Sequence, residues 1–289
     1  MTAVLQVLAI AATGPLLHGA MRTLRARLAG RPGPNPFQPY RDLAKLWRKE
    51  AILPEGVSAL SVIAPGVALG VAVVFAAALP LWSQRASTFV DVIVLALLLA
   101  LGRFVLVLAA LDSRSGFAGM AASREMAFAS LVEPTLIVAL LGGAILGRGV
   151  TLHSLVDLPF GPAGMLAMAA FMLVILSETA RVPIDNQETH YELTMIHEGL
   201  VLEYSGWQLA FLSLAAQIRQ LCFLLLASFL LPGSGLAAHL AWLIALAIAI
   251  TVIESLFAKV RLFEVPQLLL TAFILSVASI VLRAGATLL

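Results

Sequence analysis

Eight apolar runs, each close to the length of a bilayer crossing, dominate the sequence and leave little room for another architecture. A hydrocarbon core of about 30 Å takes roughly 20 apolar residues in a helix. Runs of that size lie near 3–21, 57–82, 88–111, 116–147, 163–180, 206–231, 236–257 and 264–287. The expected fold is an all-α polytopic membrane protein of about eight transmembrane helices, with 1–289 as a single membrane domain. The run at 116–147 is long enough to tilt or project, and the one at 163–180 is near the minimum for a crossing. With 61% of residues apolar, 12% charged and a mean hydropathy of +1.00, a water-soluble fold of this size is excluded. The first run is long for a signal peptide and lacks a preceding basic residue, so it reads as a retained span.

Basic residues set the expected orientation. Arg22 to Lys49 contribute eight, and Arg114, Arg124, Arg181, Lys259 and Arg261 fall on the same side, against Arg85, Arg148 and Arg283 on the other. By the positive-inside rule the loops at 22–56, 112–115, 181–205 and 258–263 face the cytoplasm, and both termini lie outside it, in an inner (cytoplasmic) membrane. The net charge of +2 resides in these loops and offers no nucleic-acid face. The single cysteine, Cys222, excludes an intrachain disulfide and a cysteine-ligated metal or iron–sulfur site made by this chain alone. No metal site is expected, because His190 and His197 lack H-E-x-x-H spacing.

The first cytoplasmic loop passes through Arg31-Pro32-Gly33-Pro34-Asn35-Pro36 into residues 37–51, where Tyr40, Leu43, Ala44, Trp47 and Ala51 recur on one helical face and Arg41, Lys45, Arg48 and Lys49 lie elsewhere. This predicts a cytoplasmic amphipathic interfacial helix, held by anionic headgroups or serving as a docking element.

Charges inside the spans point to function more strongly. A carboxylate at mid-membrane costs about 2.5–3.5 kcal/mol on insertion scales, so it faces the protein interior and has a partner or a task. Glu125 and Glu133 fall on the fourth span, Glu178 near the end of the fifth, Glu254 on the seventh, and Asp112 closes the third. These five are proton-relay candidates. Arg103, Arg124 and Arg219 are basic counterparts, so interhelical ion pairing is the competing reading. After the fifth span, Arg181, Asp185, Glu188, Glu192, Glu198, Glu203 and Tyr204 make an acidic loop on the side that normally carries positive charge. Glu178 and Arg181, at i and i+3, are spaced so that they could pair on one helical face, with Pro183 ending the helix. Met165, Met168 and Met172 read as packing or lipid contact, and His239 and Cys222 show no partner.

The segment Glu178-Thr-x-Arg181-x-Pro183-x-Asp185-x-x-Glu188, followed by Glu192-Leu193 and Glu203-Tyr204-Ser205-Gly206, resembles the signature loop of the H subunit of NADH-quinone oxidoreductase, the complex I membrane component beside the quinone chamber. Arg31-x-Gly33-Pro34-Asn35, Gln38-Pro39, Asp42, Lys45-Leu46 and Lys49-Glu50 are similar to that family's first cytoplasmic loop. Two departures point to a branch. The first loop is shorter, and the second carries extra residues through Glu192-Leu193-Thr194-Met195-Ile196-His197-Glu198. Leu111 to Met120, Ala122 to Met126 and Glu133-Pro134 are similar to formate hydrogenlyase subunit 4 and its hydrogenase-4 relatives.

The resemblance implies a non-catalytic membrane subunit of an oxidoreductase complex, without a redox centre of its own. Its partners would be hydrophilic iron–sulfur and hydrogenase-like subunits, which carry iron–sulfur clusters and nickel–iron or flavin centres, together with antiporter-like membrane subunits. It further implies that Arg31, Gln38, Asp42, Lys45, Lys49 and Glu50 dock the peripheral arm, that the 181–205 loop lies beneath that arm or beside a quinone, and that the chain couples redox chemistry to proton or sodium movement. An independent secondary transporter is the outlying alternative, and the internal repeats common there are not found.

Overall fold

The computed structural model describes residues 2–52, 54, 56–82, 90–146, 149–155, 161–185, 196–233 and 235–288. Its helices are α1 (Thr2–Leu28), α2 (Gln38–Trp47), α3 (Ala59–Ala78), α4 (Val92–Asp112), α5 (Gly116–Leu146), α6 (Pro162–Glu178), α7 (His197–Leu200), α8 (Gly206–Phe229), α9 (Leu236–Leu256) and α10 (Val265–Leu288), with one 3-10 turn at Leu152–Leu155. Seven of them are long and apolar enough to cross a membrane, and α6 is a shorter apolar helix of 17 residues. The chain is an all-helical polytopic membrane protein. The first helix runs past its apolar stretch to Leu28 and carries Arg22, Arg25 and Arg27 beyond the expected end at 21.

Helix α8 is the axis of the bundle. It packs against α1, α2, α3, α6 and α9, and every residue from Gln220 to Phe229 is buried, as expected of a helix that is apolar all round. Outward faces of peripheral helices remain apolar: Leu97, Ile244, Ile274 and Val281 are each more than half exposed, which suits contact with acyl chains.

The amphipathic helix is shorter than 37–51 and is rotated from its expected face. Pro39 is buried and Leu43 and Leu46 are half-buried, whereas Ala44 is exposed. Trp47 meets Phe211 edge-on with ring centroids 5.2 Å apart, and Phe211 meets Trp207 at 5.4 Å. Pro39 and Leu46, outside the expected face, are the residues turned inward, while Trp47 of that face touches α8 and stays 52% exposed. Beyond Arg48 the chain leaves the helix, so Ala51 is not part of it.

Two glycines allow the loops at this end to close on the bundle. A Cβ on Gly19 would lie 2.0 Å from the Pro36 carbonyl oxygen, so the loop after α1 rests directly on the α1 backbone. Thr23 donates its hydroxyl to the Pro34 carbonyl at 2.7 Å. Gly206 has φ of 56°, and a Cβ there would lie 2.4 Å from the Glu50 carbonyl oxygen. Beside it, Ser205 Oγ accepts from the Ile52 amide at 2.8 Å and donates to the Ile52 carbonyl at 3.0 Å. The Lys49-Glu50 and Tyr204-Ser205-Gly206 segments, distant in sequence, therefore meet backbone to backbone. Gly206→Ala combines a left-handed φ with a backbone clash and is expected to cost more than about 1 kcal/mol. A thermal-shift assay in detergent should show a clear loss of stability, with Gly285→Ala, where a Cβ meets open space, unchanged.

Candidate functional site

A short α6 builds the site. From Gly116, the start of α5, to Glu125 is roughly 14 Å of helix, and from Arg103 to the end of α4 at Asp112 is about the same. Helix α6 stops at that depth, so Glu178, its last residue, meets groups about halfway along its neighbours. The chain after it stays inside the protein: Thr179, Ala180, Arg181, Val182, Ile184 and Asp185 are all buried. Non-helical backbone at such depth persists only where protein shelters it and its polar groups are bonded. The amides of Thr179, Arg181, Ile184 and Asp185 donate to carbonyls at Ile175, Leu176 and Arg181, and the Val260 amide donates to the Pro183 carbonyl at 2.8 Å. The 181–205 segment therefore begins as a buried strap, where the sequence led us to expect a cytoplasmic loop throughout.

Arg103, 6% exposed, is the hub of the first ionic network. Its Nε lies 3.0 Å from Glu125 and its NH1 3.2 Å from Glu133, while its NH2 pairs with Glu178. Three relay candidates thus converge on one guanidinium, which supplies the five-donor fork that such convergence needs. His197 extends the network. Its Nε2 lies 3.6 Å from Glu125 Oε1, and its Nδ1 lies 3.7 Å from Asp185 Oδ2. The Asp185 carboxylate also accepts from the His197 amide at 3.3 Å and from Lys259 Nζ at 2.8 Å. Burial works against the ionised Asp185, but His197 and Lys259 hold its carboxyl well below the usual range. Burial likewise opposes a charged His197, and the Glu125 and Asp185 carboxylates outweigh it, raising the imidazole above its ordinary value.

The Glu178–Arg181 pair that their spacing allows does not form. The helix ends at Glu178 and Ala180 turns to φ of 51°, so the i,i+3 geometry of a continuous helix is lost. Arg181 instead joins a second network, donating NH1 to Glu254 at 3.1 and 3.3 Å and NH2 to Gln220 Oε1 at 2.9 Å. His18 Nδ1 lies 3.1 Å from that Gln220 oxygen and 3.3 Å from Arg181 NH2. Glu254 therefore stands apart from the Arg103 carboxylates.

A cavity of about 220 Å³ lies between the two networks. Its polar wall includes Arg103, Glu125 and His197 from the first, His18 and Gln220 from the second, and Glu198, Gln217 and Arg219. Arg219 makes no hydrogen bond or ion pair among the described residues, but it feels the charges of Glu178, Glu125 and Arg103.

Other sequence-derived candidates lie elsewhere. Asp112 accepts from the Ser58 amide at 2.7 Å and from Ser61 Oγ at 2.6 Å, so its bonds fasten the start of α3. Tyr204 is buried and donates its hydroxyl to the Ser61 carbonyl at 3.0 Å. Burial, with Asp112 nearby, pushes that phenol up to about 12. Glu203 is half-buried beside it, and Glu188 and Glu192 lie outside the described residues. Of the docking candidates, Arg31, Lys45, Lys49 and Glu50 are exposed, while Gln38 and Asp42 are half-buried and bonded to each other at 2.9 Å. His239, which showed no partner in the sequence, packs edge-on to Phe229 at 4.6 Å. His18, Gln220, Lys259 and the bridging role of His197 escaped the sequence reading. For His18 and Gln220 the available signal is a polar residue within an otherwise apolar span; Lys259 and His197, in the connecting segments, carry none.

Comparison with known proteins bears on the family. The family model for NADH dehydrogenase matches residues 1–284. The chain is 36% identical over 214 residues to hydrogenase-4 component C of Escherichia coli, covering 71% of this chain and 67% of that one. It is 32% identical over 228 residues to formate hydrogenlyase subunit 4 of Escherichia coli, covering 76% and 73%. Identity to the H subunit of NADH-quinone oxidoreductase from Thermomicrobium roseum is 29% over 244 residues, covering 73% and 71%. The fold is shared with a chain in the structure of the membrane-bound sulfane sulfur reductase, an archaeal respiratory membrane complex, with a TM-score of 0.83, 18% identity and coverage of 97% and 98%. A match along nearly the whole chain, with higher identity to the hydrogenase-4 and formate hydrogenlyase components than to the Thermomicrobium roseum protein, shows that the chain belongs to the NADH dehydrogenase family.

Proposed function

We propose that this chain is the membrane-anchoring, ion-coupling subunit of a complex I-related assembly of the hydrogenase-4 and formate hydrogenlyase type, without a redox centre of its own. The observation that carries the reading is the Arg103 hub, where carboxylates from α5 and α6 converge on a guanidinium from α4 beside a polar cavity. A static salt bridge needs one carboxylate. Three carboxylates on one cation leave excess negative charge at a shared site, so that the protonation of each is coupled to the others, which is the property a relay requires.

Two of the cytoplasm-assigned segments, 22–56 and 181–205, converge at the same end of the bundle, through the Gly206 and Glu50 contact and the Tyr204 and Ser61 bond. That end, with exposed Arg31, Lys45, Lys49 and Glu50, is the surface on which iron–sulfur and hydrogenase-like subunits would dock. Antiporter-like subunits would meet the lipid-facing sides. By the positive-inside distribution this end faces the cytoplasm and both termini lie opposite. Electron arrival in the docked arm changes the field at Asp185 and shifts proton affinities toward Glu125 and Glu178.

A quinone suits the cavity less well than water. About 220 Å³ falls below the roughly 300–1,000 Å³ typical of small-molecule sites, and the wall carries two arginines and two glutamates. Purification of the tagged chain from its native membrane in mild detergent tests the assignment. Stable recovery of nickel–iron and iron–sulfur subunits is expected. A flavoprotein NADH arm would move the chain to the complex I branch, and a solitary chain that catalyses transport in liposomes would overturn the reading.

A further inference from the structure

We infer that His197 is a proton carrier linking the buried strap to the membrane-embedded carboxylates, a role that rests on the ion-coupling reading above. Its two ring nitrogens face two different acids from two different elements: Nε2 lies 3.6 Å from Glu125 on α5, and Nδ1 lies 3.7 Å from Asp185 on the strap after α6. The ring thereby joins two groups of charges. Asp185 is tied to Lys259, between α9 and α10, while Glu125 is tied to Arg103 on α4. Removing the imidazole would take away the bridge between the Asp185–Lys259 pair and the Arg103 hub.

The charge inventory favours a proton on this ring. Arg103, Arg124, Arg181, Arg219 and Lys259 stand against Glu125, Glu133, Glu178, Asp185, Glu254 and the cavity-lining Glu198, leaving one negative charge that an imidazolium balances. Arg219 on α8 opposes that proton and Arg124 on α5 acts on Asp185, while Glu198 lies next to the ring in sequence. Both ring contacts exceed ordinary hydrogen-bond length, so the ring is not locked to either acid. Its side chain is 20% exposed, and the ring borders the cavity, which leaves room to turn.

The imidazolium gives its Nε2 proton to Glu125, leaving a neutral ring and a neutral carboxyl group. Rotation about Cβ–Cγ turns the bare nitrogen toward Asp185, where a proton entering from the strap side restores the imidazolium. Glu125 passes its proton toward Glu178 or the cavity and becomes anionic again.

The test uses the whole complex in inverted membrane vesicles, with a pH-sensitive dye reporting proton movement per electron transferred. His197→Gln is expected to lower that ratio about 100-fold, the order typical of a lost acid–base group. Free imidazole, entering the cavity beside residue 197, is expected to restore part of it, which a merely structural role would not allow. A normal ratio in His197→Gln together with a lost ratio in Glu125→Gln overturns the histidine role alone. Normal ratios in both overturn the coupling reading itself. Wild-type vesicles that move sodium without protons overturn the histidine role and leave ion coupling standing. Should His197→Gln fail to assemble, Asp185→Asn carries the test. Losing one of the two acids that raise the imidazole should move the alkaline limb of the pH–rate profile down by about one pH unit or more, and an unmoved limb overturns the proposal.

Discussion

Arg103→Met is expected to prevent the folded chain from accumulating in the membrane. The guanidinium is 6% exposed and touches Glu125, Glu133 and Glu178. Methionine is of comparable length but leaves three carboxylates without their common cation, two of them almost wholly buried. Removing one partner of a buried ion pair costs about 3–5 kcal/mol, comparable to much of the stability of a typical domain. Fluorescence-detected size-exclusion chromatography should show little monodisperse protein. Arg103→Lys keeps the charge but reaches fewer acids at once, so it should recover part of the folded yield. Normal yield for Arg103→Met would mean that the carboxylates are neutral in the resting protein and need no counter-ion.

Glu178→Gln should leave the complex assembled and abolish proton movement, by about 100-fold or more per electron. The amide is nearly isosteric, still accepts a hydrogen bond from Arg103 through its oxygen, and relieves part of the local negative excess. What it removes is the capacity to bind and release a proton at the junction of α6 with α4. Proton uptake per electron in vesicles, compared with subunit content on native gels, checks both halves. Wild-type coupling would take Glu178 off the path.

Much of the fold was legible because bilayer thickness imposes a length that sequence displays directly: the helix bounds of α4, α5 and α9 fall within a few residues of their apolar runs. Acids within spans were legible for a related reason, since their insertion penalty makes them stand out. Their partners were not. Glu178 and Arg181 have ideal helical spacing, yet Arg181 pairs with Glu254, 73 positions away, because α6 ends where α9 and the turn into α10 shelter a strap. Nothing in the sequence of 179–185 says that it is buried, since that burial comes from the packing of other helices. From sequence His197 invites only a metal-ligand reading, because sequence displays its neighbours Glu198 and His190 and conceals Glu125. The rotation of α2 is hidden for the same reason, because the helix packs on α8, which is distant in sequence.

The early stop of α6 has one more consequence. The strap it leaves is held by the Val260 amide to Pro183, by Lys259 to Asp185 and by Glu254 to Arg181, so the α6–α8 and α9–α10 connections are laced into a single arch. Loosening any one lace strips shelter from charges on several helices together. The described part of the strap is therefore expected to open as one cooperative unit, and amide exchange at 181–185 and at Val260 should rise together when any one lace is removed.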